Sequence, residues 1–330
     1  MAVSTDPKKI EELLTRGVER IFPSREFLSA RLKEGKQLSL YLGIDPTGPD
    51  LHIGHSIQLR KLRQFQDLGH KVILLIGDFT GMIGDPTDKS AARVRLTREQ
   101  VLKNADRYKE QAGKILDFGG ENPVELKYNS EWLEKMSFTD VIELASNFTV
   151  QQILARDMFD KRLKEDKPVY FHELMYPLMQ GYDCVAMDVD GEVGGNDQTF
   201  NMLAGRDLMK AMRGKEKFVI ADKLLADPTG KKMGKSEGNM ITLADSSDEM
   251  FGKVMSWTDG MIVGGFEILT TEDEKAVQKE LDDGANPREL KARLAHTIVT
   301  QYFDEAEATA ASERFDQLFQ KKETPDEIVE

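Results

Sequence analysis

Residues 38–77 read LSLYLGIDPTGPDLHIGHSIQLRKLRQFQDLGHKVILLIG. The apolar run from Leu38 to Ile44 has the length of a buried strand, Asp45-Pro-Thr-Gly-Pro49 can only be a loop, Ser56–Leu68 carries helical spacing, and Lys71–Gly77 is a second buried strand. Strand, helix, strand within about forty residues is a βαβ unit, whose right-handed crossover makes a parallel sheet the expectation. Ligands bind such sheets on loops leaving the carboxyl ends of the strands, here 45–55 and 78–90.

Working outward, Lys217–Ala221 reads as another strand, followed by a loop at Asp227–Asn239 rich in Gly, Lys and Ser. Upstream, residues 7–33 read as helical, with Ile10, Leu13, Leu14, Val18 and Ile21 at helical spacing and Pro23 ending the run. From Ser247 onward helix formers dominate, with stops at Gly284-Ala-Asn-Pro287 and Pro325. No internal repeat or low-complexity tract is visible.

The chain has 330 residues, 40% hydrophobic and 31% charged, a globular composition that excludes disordered and collagen-like classes. Its apolar stretches are far shorter than the ~20 residues of a membrane span, and MAVSTDPKKI has no signal-peptide core. One cysteine, Cys184, allows neither an internal disulfide nor a cysteine-based zinc site, and with five scattered histidines no metal centre is expected. These features point to a cytoplasmic protein. The net charge is -13, and residues 246–330 hold 20 acidic against 9 basic residues, so -11 of it lies there. That asymmetry suggests two units, 1–245 and 246–330, and requires any nucleic-acid contact to use local basic patches.

His52-Ile-Gly-His55 places two histidines one helical turn apart at a helix start, where backbone N–H groups favour an anion and Gly54 removes a blocking side chain. Alone, the pattern also has a plainer reading, one histidine as a helix cap and the other packed under the sheet. Lys231-Lys-Met-Gly-Lys-Ser236, bracketed by Gly230 and Gly238, offers three ammonium groups and a hydroxyl on a segment able to close over a triphosphate. Alone, it reads equally as a solvated basic face. Gly81–Ser90 superficially looks like a P-loop, but Asp88 stands where the glycine before the lysine is required.

Together, His52-Ile-Gly-His55 and Lys232-Met-Gly-Lys-Ser236 resemble the HIGH and KMSKS signatures of class I aminoacyl-tRNA synthetases. Tyr41-Leu-Gly-Ile-Asp-Pro-Thr47, Thr80-Gly-Met-Ile-Gly-Asp-Pro86, Tyr176-Pro-Leu-Met-Gln-Gly-Tyr-Asp183 and Gly194-Gly-Asn-Asp-Gln198 follow in the order of the tyrosyl-tRNA synthetase family. Two departures are Gly234 in place of the loop serine and Thr199-Phe200 where many relatives carry Trp-Gly. The resemblance implies an α/β architecture, a Rossmann-like parallel-sheet nucleotide-binding domain followed by an all-α domain. It implies tyrosine activation by ATP, with Mg2+ on the ATP phosphates and no organic cofactor, then transfer to tRNA(Tyr).

The resemblance also implies roles. Thr47, His52, Lys232 and Lys235 would act on the migrating phosphates, joined by Lys89 and Arg93 from the loop after Pro86. His55, counted with that catalytic set, and Asp197 would hold the ribose, while Gly43, Asp45, Gly54, Met233 and Ser236 complete the ATP site. For tyrosine, Tyr176, Asp85 and Gln180 would take the ammonium, Tyr41 and Asp183 the phenolic hydroxyl, and Gln198 the reacting carboxylate, with Thr80 beside them. Read without the family, Tyr41 and Tyr176 are equally core aromatics, Asp183 a helix-surface acid, and Cys184 a buried small hydrophobe.

Residues 246–330 resemble the helical domain that faces the anticodon stem, with Arg288, Lys291 and Arg293 as candidate phosphate contacts. The acidic balance predicts weak tRNA binding by this chain, which stops where many bacterial relatives continue into a small RNA-binding module. The family implies a homodimer through residues of about 130–175, where Val150, Ile153, Leu154 and Met158 of Thr149–Leu163 form a helical apolar stripe that reads equally as an internal core helix. The nearest rival is a tryptophanyl enzyme, against which stand Tyr41 and Asp183. A non-catalytic paralogue is disfavoured by intact His52, His55, Lys232 and Lys235.

Overall fold

A computed structural model describes residues 2–87, 95–155, 157–226 and 240–319. Their contacts divide into two compact units, Met1–Pro49 with Gln58–Lys223, and Asp50–Ile57 with Leu224–Glu330. The charge asymmetry of the sequence begins later, at Ser246, because it marks surface composition and not packing.

The first unit opens with α1 (Pro7–Thr15), β1 (Val18–Phe22), α2 (Arg25–Lys33) and β2 (Ser39–Ile44). Helix α3 (Ile53–Asp67), whose first turn is grouped with the second unit, leads to β3 (Lys71–Ile76). Then come α4 (Thr80–Ile83), α5 (Arg98–Ala105), α6 (Tyr108–Ala112) and β4 (Glu125–Tyr128). Four short helices follow, α7 (Ser130–Leu133), α8 (Phe138–Ala145), α9 (Val150–Leu154) and α10 (Asp157–Lys164), before α11 (Phe171–Met187), β5 (Gly191–Gly195), α12 (Thr199–Arg213) and β6 (Phe218–Asp222).

The strands form one sheet in the order β1-β6-β5-β2-β3-β4, parallel throughout except for β1 against β6. The predicted parallel β2–β3 pair is therefore present. Chain order runs one way from β2 to β4 and the other way from β5 to β6, so the switch point lies between β2 and β5, where sheets of this kind bind ligands.

The continuous helix expected over 7–33 is instead α1, β1 and α2. Gly17 takes the left-handed conformation at φ 66, and Val18 and Ile21 then pair with Asp222 and Ile220, edge pairing that a helical pattern cannot reveal. Ser24 caps α2 by accepting from Phe27 N at 3.2 Å. The stripe expected over 149–163 is likewise split between α9 and α10: Ile153 is buried, and Leu154 and Met158 pack on the core with Tyr41, Phe159 and Leu178, but Val150 is 63% exposed. Each short helix turns its own apolar side inward, so no single stripe survives.

His70 is buried between α3 and β3, its Nδ1 accepting from Leu38 N at 3.2 Å. Burial pulls it down from 6.5 to about 4, with Asp190 opposing. The folded state therefore stays neutral while the unfolded chain takes up a proton, and this contribution to stability is lost as pH falls from 6.5 toward 4. In His70→Asn, which keeps an acceptor for Leu38 N, the drop in Tm between pH 7 and pH 5 should be smaller than in the parent; an equal or larger drop would refute the assignment.

In the second unit, after the described residues resume at 240, come α13 (Ser247–Met255), α14 (Ile262–Leu269), α15 (Glu274–Asp282), α16 (Pro287–Tyr302) and α17 (Glu305–Phe319). The expected stop at 284–287 is met: Asn286 caps α16 through Arg288 N at 3.0 Å, and Pro287 occupies the first turn. The three candidate phosphate contacts are already engaged by acids. Arg288 pairs with Asp316 at 3.3 Å, Lys291 with Asp259 at 3.0 Å, and Arg293 with Glu272 at 3.3 Å and Glu280 at 2.9 Å.

Candidate active site

At the switch point the end of β2 delivers Tyr41 and Asp45, and α11 presents Tyr176, Gln180 and Asp183 at helical spacing on one face. Tyr176 Oη donates to Asp45 Oδ2 at 2.7 Å, and Thr80 Oγ1, in the first turn of α4, donates to Asp45 Oδ1 at 2.6 Å. Asn129, just past β4, spends its Oδ1 on Phe79 N at 2.9 Å, so its amide hydrogens go to Thr80 Oγ1 at 2.9 Å and Asp183 Oδ2 at 3.3 Å. Trp132 Nε1 donates to the other oxygen, Asp183 Oδ1, at 2.8 Å. One hydrogen-bonded chain thus runs from Tyr176 to Trp132 through two carboxylates. Gly77 makes room for it, because a Cβ there would lie 2.0 Å from Asp45 Oδ1 and 2.5 Å from Thr80 Oγ1.

Asp183 is no helix-surface acid; it is buried, and burial drives its carboxyl well above the usual range against the opposing bonds from Trp132 and Asn129. Burial likewise raises the Tyr176 phenol, helped by Asp45, Asp85 and Asp183. Acidic groups converge here, a setting that favours a cationic ligand group. Asp85 accepts from Thr87 N at 2.9 Å and, through Oδ2, from Gln198 Nε2 at 2.7 Å. Gln198 and Asp197 lie in a short 3-10 turn at the carboxyl end of β5. Tyr41 is fully buried with its hydroxyl donating to Gln180 O at 3.5 Å, and burial raises its phenol well above 10.0. Asp45, which the resemblance assigned to ATP, is thus engaged by residues it assigned to tyrosine. Gly43 and Thr47 are exposed at the end of β2 and in the next loop, which is tied down by Asn104 to Pro46 O at 2.9 Å and Tyr108 to Gly48 O at 2.7 Å.

In the second unit, the rings of His52 and His55 stack with centroids 3.7 Å apart. His55 Nδ1 accepts from His52 N at 3.1 Å, so in the neutral ring the proton sits on Nε2, a donor. Burial pulls His52 down to about 4, and burial with His52 alongside pulls His55 well below 6.5. Both are therefore uncharged hydrogen-bond donors at neutral pH. A Cβ on Gly54 would lie 2.9 Å from both Cε1 and Nδ1 of His52. Ile53 N donates to Ile241 O at 2.8 Å and Leu243 N to Leu51 O at 2.7 Å, so His52 pairs with Thr242, a few residues after the second signature. Lys89, Arg93, Lys232, Met233, Lys235 and Ser236 lie outside the described residues.

Sequence reasoning missed Asn129, Trp132, Glu192 and Lys217. Asn129 and Trp132 follow an unrecognised edge strand, β4, and meet Asp183 from about fifty residues away in the chain. Glu192 and Lys217 left one possible signal, charged residues beside otherwise apolar strands.

The family model for tRNA synthetases class I (W and Y) matches residues 33–320, and the chain belongs to that family. Within it, the chain is 47% identical over 321 residues to tyrosine–tRNA ligase 2 of Vibrio cholerae, covering 96% of this chain and 80% of that protein. It is equally 47% identical over 321 residues to tyrosine–tRNA ligase of Haemophilus ducreyi, with 96% and 80% covered. A solved structure, the C-terminally truncated mitochondrial tyrosyl-tRNA synthetase of Aspergillus nidulans, shares the fold with TM-score 0.76 at 22% identity, over 94% of each chain.

Proposed function

We propose that this chain activates L-tyrosine with ATP to tyrosyl-adenylate and pyrophosphate, then transfers tyrosine to tRNA(Tyr). The observation carrying the reading is the buried Asp183 carboxyl, held by Trp132 and Asn129 and joined through Thr80 and Asp45 to Tyr176. A phenol hydroxyl can bond to such a buried carboxyl, whereas the bare ring of phenylalanine would leave it unused. The tyrosine carboxylate arrives ionised and attacks the α-phosphorus; the bond to the β-phosphate oxygen breaks and pyrophosphate carries the electron pair away. No general base is required, so the protein supplies position and charge compensation.

In this reading Asp85, Tyr176 and Gln180 take the substrate ammonium, Tyr41 and Asp183 its hydroxyl, and Gln198 lies by its carboxylate. Neutral His52 and His55 donate hydrogen bonds to ATP, with Asp197 on the ribose. The lysines Lys89, Lys232 and Lys235, with Arg93, supply positive charge. Magnesium would enter on the phosphates of the ATP substrate. Pyrophosphate exchange with tyrosine, tryptophan and phenylalanine tests the reading; exchange driven best by tryptophan would overturn it.

Gly54→Ala tests the histidine pair. The new methyl must push the His52 ring aside, while a helix gains up to about 1 kcal/mol from alanine over glycine. The exchange rate should fall at least about tenfold, as loss of one transition-state hydrogen bond implies, with the melting temperature and the KM for tyrosine nearly unchanged.

Three further parts of the proposal concern assembly. Phe138, Ile142, Val150, Leu163, Tyr170 and Phe171 are exposed apolar side chains within 130–175, which supports a homodimer, and sedimentation as a stable monomer would refute it. The paired state of Arg288, Lys291 and Arg293 supports weak tRNA binding; tight tRNA(Tyr) capture in a low-salt filter assay would refute that. No helix among the described residues is long and apolar enough to cross a membrane, and charging of tRNA suits a cytoplasmic site.

A further inference from the structure

Behind Tyr41 and Gln180 lies an ion pair that the mechanism above does not use. Glu192, in β5, is 2% exposed, and Lys217, immediately before β6, is wholly buried; Lys217 Nζ donates to Glu192 Oε2. Burying two charges costs free energy, and a matched pair of hydrophobic residues is often at least as stable, so stability alone does not account for it. Its contacts suggest another role. Glu192 Oε1 accepts from Gln180 Nε2 at 3.1 Å, Glu192 pairs in register with Tyr41 across β2 and β5, and Lys217 Nζ lies 5.8 Å from the centroid of the Tyr41 ring.

A primary amide has one accepting end and one donating end, and a carboxylate only accepts. Glu192 therefore holds the amide nitrogen of Gln180 toward itself and leaves Oε1 as the free end. An ammonium only donates, so that end alone can serve it; a reversed amide would set donor against donor. Lys217 occupies the second oxygen of Glu192, which keeps the carboxylate charge directed inward and away from the ligand. The fold reserves space for this ammonium: a Cβ on Gly205 would lie 2.7 Å from Lys217 Nζ, where α12 packs closely on Gly181 of α11.

We propose that the buried Glu192–Lys217 pair is a positioning device that fixes the amide orientation of Gln180 and so sets recognition of the substrate ammonium. The proposal rests on the reading that Gln180 holds that ammonium. Two ligands separate the cases: tyrosine, and 3-(4-hydroxyphenyl)propionate, which lacks only the amino group.

Binding of both is measured by calorimetry to the parent, to Gln180→Ala, to the charge-neutral double variant Glu192→Gln/Lys217→Met, and to Gly205→Ala, which crowds the ammonium without altering any charge. The double variant should lose about tenfold in tyrosine affinity, the size of one hydrogen bond to a charged group. Its affinity for the des-amino analogue should change less than about twofold, and kcat for exchange at saturating tyrosine should change far less than KM. Gly205→Ala should show the same selective loss, and it carries the test if the double variant does not fold. Equal losses for both ligands, or tyrosine affinity preserved while Gln180→Ala loses it, would overturn the positioning role alone. Tyrosine affinity unaffected by Gln180→Ala would overturn the Gln180 reading and the inference with it.

Discussion

Asp183→Ala is expected to weaken the preference for tyrosine over phenylalanine sharply and to cut kcat/KM for tyrosine by up to about a hundredfold. The substitution removes the carboxyl partner of the substrate hydroxyl; it also strands Trp132 Nε1 and one Asn129 amide hydrogen, but in free enzyme and complex alike, which costs stability and not kcat/KM. A buried polar group left unsatisfied costs roughly 1–3 kcal/mol, and only the substrate hydroxyl is newly stranded on binding, so the loss in kcat/KM reaches about a hundredfold. Phenylalanine brings no hydroxyl to be stranded, so its own kcat/KM should change much less. A site built to bond a hydroxyl rejects the analogue lacking it because buried polar groups are left unpaired, a rule for which tyrosyl enzymes are themselves the worked case. Exchange assays with the two amino acids, parent against variant, check this. An unchanged ratio would remove Asp183 from hydroxyl recognition.

Lys61→Met should be among the most destabilising single changes, costing about 3–5 kcal/mol, because it strands two backbone carbonyls and leaves a buried acid without its compensating charge. Lys61 is buried in α3, and its Nζ donates to Leu13 O at 2.7 Å and Arg16 O at 2.9 Å, tying down the end of α1. It also faces Asp222, whose two oxygens have no hydrogen-bond partner among the described residues. Burial pushes Asp222 from 3.8 up to about 7, with Lys61 working against it. The folded state therefore binds an extra proton between those values, and this group's contribution to stability declines as pH rises through that window. Accordingly the loss in Lys61→Met should be larger at pH 8 than at pH 5, and Lys61→Met/Asp222→Leu should recover most of it. Denaturant titrations at the two pH values measure both effects. A double variant as unstable as the single one would show that the carbonyl contacts, and not Asp222, set the cost.

Much of the site could be read directly from the chain because its chemistry is local. His52, Gly54 and His55 lie within one helical turn, and Tyr176, Gln180 and Asp183 share a helix face by spacing alone. The βαβ unit of β2, α3 and β3 was equally plain, since burial on both faces of a parallel strand leaves an unbroken apolar run. β1 was not. Its Val18 and Ile21 fit a helical period, and only pairing with β6 decides for a strand.

The limits follow from the same physics. Residue type and short-range spacing sufficed for the α/β class and for proposing which acidic and phenolic side chains share a helix face. Folding alone decided that burial pulls both signature histidines below their ordinary range, that Asp45 serves Tyr176 and Thr80, that the basic residues of α16 are already paired, and that Glu192 and Lys217 meet behind Gln180. Charge state and hydrogen-bond direction depend on burial and on partners distant along the chain, and neither is encoded in any short stretch of residues.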